Sequence, residues 1–224
     1  MWQQLRWRGQ SLFRRLWQAQ DHGELVRKLL ADVKVPVQRR LVFVETGCGL
    51  STLALGEEGA RLGAVVYSCD VNQEKIDELR RRGGDALAEV NFVCGDSLAS
   101  LARIAQRHER IDFALLDSAP SATHTLREFF ALESRFGPGA RVLIDNAALP
   151  GARLLLSPCR KGKLLVPYLL ASPLWRVTGH PRAGDSMVSA LHDRVGAAAD
   201  ASYEDPAYVD QWRATLDRAL RPVP

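Results

Sequence analysis

Residues 41–52 read LVFVETGCGLST, an apolar run closed by an acid, two glycines and a pair of hydroxyl residues. Leu41–Glu45 has the length and branched content of a strand buried on both faces. Gly47 and Gly49 let the backbone turn tightly and approach a ligand with no Cβ in the way. Ser51 or Thr52 can cap the helix that follows, whose free N–H groups would face that ligand. Taken alone, such a turn serves equally well as a plain strand–helix joint.

The same alternation continues outward from this stretch. Further strand-like runs are Ala64–Cys69, Val90–Cys94, Ile111–Leu116 and Arg141–Ile144, with helix patterns near 52–61, 73–82, 97–107, 122–135 and 160–171. Strands separated by helices predict a parallel sheet covered on both faces, a doubly wound α/β domain. The runs Leu174–Thr178 and Ser186–Leu191, joined by the turn-rich GHPRAGD, predict an antiparallel hairpin, and a last helix is expected over 207–219. Upstream, residues 1–20 read as an amphipathic helix with Trp2, Leu5, Leu12, Phe13, Leu16 and Trp17 on a broad face. Asp21 is placed to cap a second helix reaching Leu30, and Pro36 breaks the chain before the body. The expected organisation is an N-terminal helical arm, 1–38, and one α/β domain, 39–224.

Composition narrows the class. A hydrophobic share of 46% supplies a core and excludes a disordered chain. A bilayer span needs roughly 18 mostly apolar residues in a row, and the sequence holds no such run. The start MWQQLRWRGQSLFRRLWQ is too interrupted by Arg and Gln for a signal peptide, so a cytoplasmic location is expected. The net charge of +4 is uneven. Residues 1–40 hold nine Lys and Arg against three acids, a net +6, which leaves the rest of the chain at −2. Cys48, Cys69 and Cys94 fall at strand ends, where small buried thiols are common, and no C-x-x-C pair signals zinc.

Ligands of an open parallel sheet bind beyond the carboxyl ends of its strands. Five consecutive predicted strands each end at an acid: Glu45, Asp70, Asp96, Asp117 and Asp145. Asp70 stands about 20 positions after the glycine turn, where a carboxylate can accept from both hydroxyls of a ribose. Asp96 either caps the next helix or accepts from the exocyclic amine of an adenine. Clustered carboxylates repel one another, so a cationic ligand or a metal is expected to accompany them.

The series ETGCGLST, YSCD, VCGDS, FALLDSA and VLIDNA resembles the class I S-adenosylmethionine-dependent methyltransferases over roughly residues 40–192. That resemblance implies a Rossmann-like, mostly parallel seven-stranded sheet with an antiparallel last strand, plus the helical arm. It implies S-adenosylmethionine as cofactor: Glu45, Gly47, Gly49 and Ser51 at the methionine part, Asp70 at the ribose, Asp96 with Ser97 near adenine. The pair LLDSA and LIDNA is similar to the small catechol-type O-methyltransferases, which implies Asp117, Asp145 and Asn146 around a divalent cation such as Mg²⁺. Asp117 then belongs to the catalytic centre as well. That subgroup usually offers a Lys soon after the first Asp, but here Ser118-Ala119-Pro120-Ser121 follows, and His124 is the nearest candidate base.

The expected reaction is methyl transfer to an oxygen of a small-molecule acceptor. Two alternatives stay open because of the basic arm. One is a nucleic-acid methyltransferase, against which the sequence offers no N/D-P-P-Y/F motif after strand four and a slightly acidic body. The other is a membrane-surface protein that uses the Trp-rich basic helix as a peripheral foot. The arm reads equally as a lid or as the contact of a homodimer. The stretch Ala147–Lys163, with Arg153, Arg160, Lys161 and Lys163, reads as a solvated loop or as a holder of an anionic acceptor.

Overall fold

The computed structural model describes residues 22–149, 161–182 and 185–193. The helices expected over 1–20 and 207–219 lie outside these residues. Strands β1 (Val42–Thr46), β2 (Val65–Asp70), β3 (Val90–Cys94), β4 (Ile111–Leu116), β5 (Phe136–Asp145), β6 (Trp175–Arg182) and β7 (Asp185–His192) form one sheet in the order β3-β2-β1-β4-β5-β7-β6. The expected Rossmann-like α/β fold is therefore the observed one, and the last strand, β7, runs antiparallel to both its neighbours. Among the described residues, no helix is long and apolar enough to cross a membrane. The chain divides into two compact units, Met1–Ile111 and Asp112–Pro224.

The first unit holds three parallel strands. β1 pairs β2 from Val42↔Val65 to Thr46↔Cys69, and β2 pairs β3 from Val66↔Val90 to Asp70↔Cys94. Helices α2 (Leu50–Leu62), α3 (Gln73–Gly83) and α4 (Ser97–Arg107) follow these strands in turn. Each of the last two starts at a residue that satisfies a free backbone donor: Asn72 accepts from Lys75 N–H at 3.1 Å and Asp96 from Ala99 N–H at 2.9 Å. All five residues of β1 are buried, as an apolar run in a sheet covered on both faces requires. A helix over residues 22–30, α1, buries Leu25, Val26 and Leu30. Arg27 pairs with Glu57 of α2 at 2.6 Å, and Arg61 donates to the Leu30 carbonyl at 3.2 Å. This part of the arm thus joins the first unit by ion pairing to α2.

The second unit packs around aromatic rings. Phe129 of α5 (Ala122–Glu133) lies 5.6 Å from both Phe136 and Trp175 and 5.8 Å from Tyr168 of α6 (Gly162–Ala171), centroid to centroid. Most of these contacts are edge-on, the arrangement that the ring quadrupole favours. β5 pairs β7 from Arg141↔Leu191 to Asp145↔Met187. The terminal hairpin is longer than expected. Gly179, His180 and Pro181, read from sequence as turn residues, lie within β6, whose pairing with β7 extends to Arg182↔Asp185. β6 is an edge strand, where a residue without an N–H costs no ladder bond on its outer side.

Because Phe129 is fully enclosed by this cluster, Phe129→Ala should destabilise the protein by about 3–5 kcal/mol. Urea unfolding checks it: the midpoint should fall while the slope stays constant.

Candidate functional site

In the first unit the site begins with a buried acid. Glu45 of β1 is wholly enclosed, and its two oxygens are taken by three hydroxyls. Ser51 donates to Oε1 at 2.5 Å, while Thr52 and Ser68 donate to Oε2 at 2.5 and 2.7 Å. Thr52 Oγ1 also accepts from Gly49 N–H at 2.8 Å, closing the start of α2. Gly49 is the residue preceding the helix, so the expected caps, Ser51 and Thr52, sit inside its first turn and point back to Glu45. Burial drives the Glu45 carboxyl above its ordinary range, and the three hydroxyl donors only partly offset it.

The glycine turn is held from the neighbouring strand. Gly47 has φ +83°, a left-handed conformation costly for any other residue, and its N–H donates to Cys69 O at 2.7 Å. Gly95, in the turn after β3, donates to Asp70 O at 2.9 Å. Two turns are thereby tied to the last residues of β2. Gly49 is extended, and a Cβ built on it meets nothing within 4 Å, so room is left beside this turn. Asp70, the last residue of β2, accepts from Asn72 N–H at 2.9 Å and pairs with Lys75 at 2.7 Å. Burial alone would raise its carboxyl, but Lys75 and the Asn72 amide outweigh that and hold it low. Asp96 is exposed and serves as the cap of α4, and Ser97 is the buried first residue of that helix. The structure therefore gathers Glu45, Gly47, Gly49, Ser51, Asp70, Asp96 and Ser97 at the carboxyl ends of three adjacent parallel strands. Cys48 beside them is a buried thiol pushed up to about 12, chiefly by burial, whereas Cys94 is exposed, not buried as its position suggested.

The second unit holds another cluster. Asp117 follows β4 and Asp145 ends β5. Lys161, just ahead of α6, contacts Asp117 Oδ1 and lies 3.3 Å from Asp145 Oδ2. Lys161 and Asp145 are buried, 5% and 4% exposed, while the Asp117 side chain keeps partial access to solvent. Lys161 is thus no residue of a solvated loop: the pull of two carboxylates outweighs the cost of burying its ammonium. Burial lowers the lysine, but Asp117 and Asp145 more than reverse this and raise it. Asp117 is pushed up to about 8 by burial and by the Asp145 charge, against the pull of Lys161.

These residues do not fit a divalent cation as they stand. Two carboxylates and the Asn146 amide would suit Mg²⁺ by donor type, but the lysine ammonium sits at both carboxylates. Asn146 turns its amide nitrogen to Asp145 Oδ2, and no cluster of three His, Cys, Asp or Glu side chains with metal-binding spacing occurs among the described residues. The strand-end acids also have partners within the chain. Lys75 serves Asp70, Lys161 serves Asp117 and Asp145, three hydroxyls serve Glu45, and a helix amide serves Asp96.

His124 stands in the first turn of α5, with its Nε2 3.3 Å from Oε1 of the fully buried Glu128. Ser118 donates to the same oxygen at 2.6 Å. Glu128 was missed in the sequence, although its spacing of four residues from His124 places both on one helix face. The role of Lys161 was missed too. Its partner Asp117 lies 44 residues away in the chain, and no local pattern links them.

Comparison with known proteins agrees with the strand-end motifs. Residues 44–147 match the family model described as a methyltransferase domain. No curated protein matches the chain. Among solved structures, the O-methyltransferase from Bacillus cereus in complex with S-adenosylhomocysteine is 16% identical, with a TM-score of 0.55 over 76% of this chain and 90% of that one. The O-methyltransferase TomG from Streptomyces achromogenes, solved with S-adenosylmethionine, is 16% identical, with a TM-score of 0.59 over 79% of each chain. Cofactor-bound Rv0187 from MTB is 18% identical, with a TM-score of 0.54 over 81% of this chain and 90% of that one. At these identities the structures show the shared fold. The resemblance to the class I S-adenosylmethionine-dependent methyltransferases holds in the matched family model and in the strand order. Methyl transfer is the activity that the description of this matched model names.

Glu45→Ala would strand three buried hydroxyls and should cost about 3 kcal/mol or more in urea unfolding. The Glu45 carboxyl titrates higher in the folded chain than the ordinary 4.5, so the unfolded chain ionises first as pH rises. Its contribution to stability should therefore fall with rising pH from about 4.5 up to the raised folded value. In Glu45→Gln that slope should disappear, which unfolding curves across this range would reveal.

Proposed function

We propose that the chain transfers the methyl group of S-adenosylmethionine to an oxygen of a small-molecule acceptor. The observation that carries this reading is the glycine turn after β1. It is left-handed at Gly47, roomy at Gly49, and tied through Cys69 to the strand that ends in Asp70. A carboxylate held ionised at that place can accept both ribose hydroxyls, while the turn admits the methionine part without a side chain intervening. Asp96 and Ser97, at the start of α4, are then the residues near adenine. Glu45 would act through the hydroxyls that fix the turn, because its own oxygens are engaged by Ser51, Thr52 and Ser68.

In the transfer, the acceptor oxygen forms a bond to the methyl carbon as the carbon–sulfur bond breaks, and the sulfonium becomes a neutral thioether. The acceptor proton must leave. We assign His124, whose Nε2 lies 3.3 Å from Glu128 Oε1, as its recipient. Glu128 is then a positioning residue that fixes the ring. Alignment of donor and acceptor supplies most of the rate in such a displacement. The Trp-rich helix expected over 1–20, which prompted the membrane alternative, lies outside the described residues, and the described residues add no observation in favour of either alternative.

Titration calorimetry with S-adenosylhomocysteine tests the reading. The protein should bind it, and Asp70→Ala should lose about 1.5–3 kcal/mol of binding, roughly a 10–100-fold weaker affinity. Absence of binding by the unaltered protein would sink the proposal. Gly49→Val should leave the melting temperature near that of the parent yet weaken binding sharply; unchanged affinity would remove the turn from the cofactor site. With an acceptor in hand, His124→Ala should lower kcat by about 10²–10⁴ at unchanged KM for the cofactor.

A further inference from the structure

We infer that Lys161 is a built-in replacement for a divalent cation at the strand-end acids of the second unit, so that this chain works without a metal. Three sets of contacts carry the inference. First, the ammonium meets Asp117 Oδ1 and stands 3.3 Å from Asp145 Oδ2, with both Lys161 and Asp145 buried. A buried ion pair is kept only where the geometry returns what desolvation takes, and here one cation answers two carboxylates that would otherwise repel.

Second, backbone contacts place the lysine. Its N–H donates to Asn146 O at 3.3 Å. The following Gly162 lies so close to the turn after β5 that a Cβ there would meet Ala147 Cβ at 2.5 Å. That turn is fixed in its own right. Ala147 donates to Ser186 O at 3.0 Å, and Ser186 Oγ donates back to Ala147 O at 2.6 Å. Asn146 completes the turn in a left-handed conformation, φ +51°, and its amide is turned to Asp145. The start of α6 is thus docked on the residues that end β5, and the ammonium is delivered to one point.

Third, a metal on the same carboxylates would stand beside that ammonium, and like charges at contact distance in a buried site repel strongly. Either Lys161 or the metal occupies the pair, and the anchoring favours the lysine. The inference does not rest on methyl transfer. It concerns which cation neutralises Asp117 and Asp145.

The test is thermal unfolding of the full chain after EDTA treatment, with and without Mg²⁺ or Mn²⁺. The unaltered protein should melt at the same temperature in all conditions. Lys161→Met should melt lower, and added Mn²⁺ should raise its Tm by about 2–4 °C or more, because the freed carboxylates then bind the ion. A metal-dependent rise in the unaltered protein would overturn the inference, and so would a Lys161→Met protein indifferent to both ions. If Lys161→Met does not fold, the double variant Asp117→Asn with Lys161→Met decides. Recovery of stability with no metal response supports charge neutralisation by Lys161, and a double variant as unstable as the single one refutes it. None of these readouts is an activity, so failure here leaves the cofactor-binding test untouched.

Discussion

A carboxyl with no access to water governs the first unit. Glu45 sits in the buried central run of β1, where an acid is tolerated only if every oxygen is satisfied. The hydroxyls that satisfy it come from the first turn of α2 and from β2, so meeting the electrostatic demand of one side chain fixes three elements at once. Ser68 lies two residues before Asp70, and Thr52 engages the amide of Gly49. The glycine turn and the end of β2 that carries Asp70 are both tied to that one satisfied acid.

The rest of the sheet end follows a common rule: each acid is matched by a group from the chain itself. The match differs in kind. Asp70 has a lysine that is half exposed and can yield to a ligand, Asp96 has a helix amide, and Asp117 with Asp145 share a buried lysine. Only the first of these partners is loosely held. A ligand seeking a carboxylate therefore finds Asp70 the most readily recruited.

The strands were legible because five short apolar runs alternate with helical patterns, and each run ends where a glycine or acid interrupts it. The acids were legible as positions but not as states. Nothing in ETGCGLST says that Ser51 and Thr52 turn inward, because that depends on Ser68 arriving from the next strand. Lys161 was read among other cations of a presumed loop, and only the docking of Gly162 on Ala147 shows it to be buried. His124 and Glu128 share a face by helical spacing, but a glutamate next to Arg127 carries no sign in the sequence that it is buried. The hairpin misled in the other direction. Gly and Pro normally signal a turn, yet on an outer strand they cost little.

That outer strand bears on solubility. A seven-stranded open sheet has two edges, here β3 and β6 among the described residues, and an edge strand is where another chain can pair. β6 carries Gly179 and Pro181 within its paired length, so its outer side is a poor template: one residue has no N–H and another has no side chain to pack. β3 is short, five residues, and Asn91 within it donates its amide to the Val66 carbonyl of β2. The residues that blurred the hairpin in the sequence are thus those that guard the sheet against edge-to-edge aggregation.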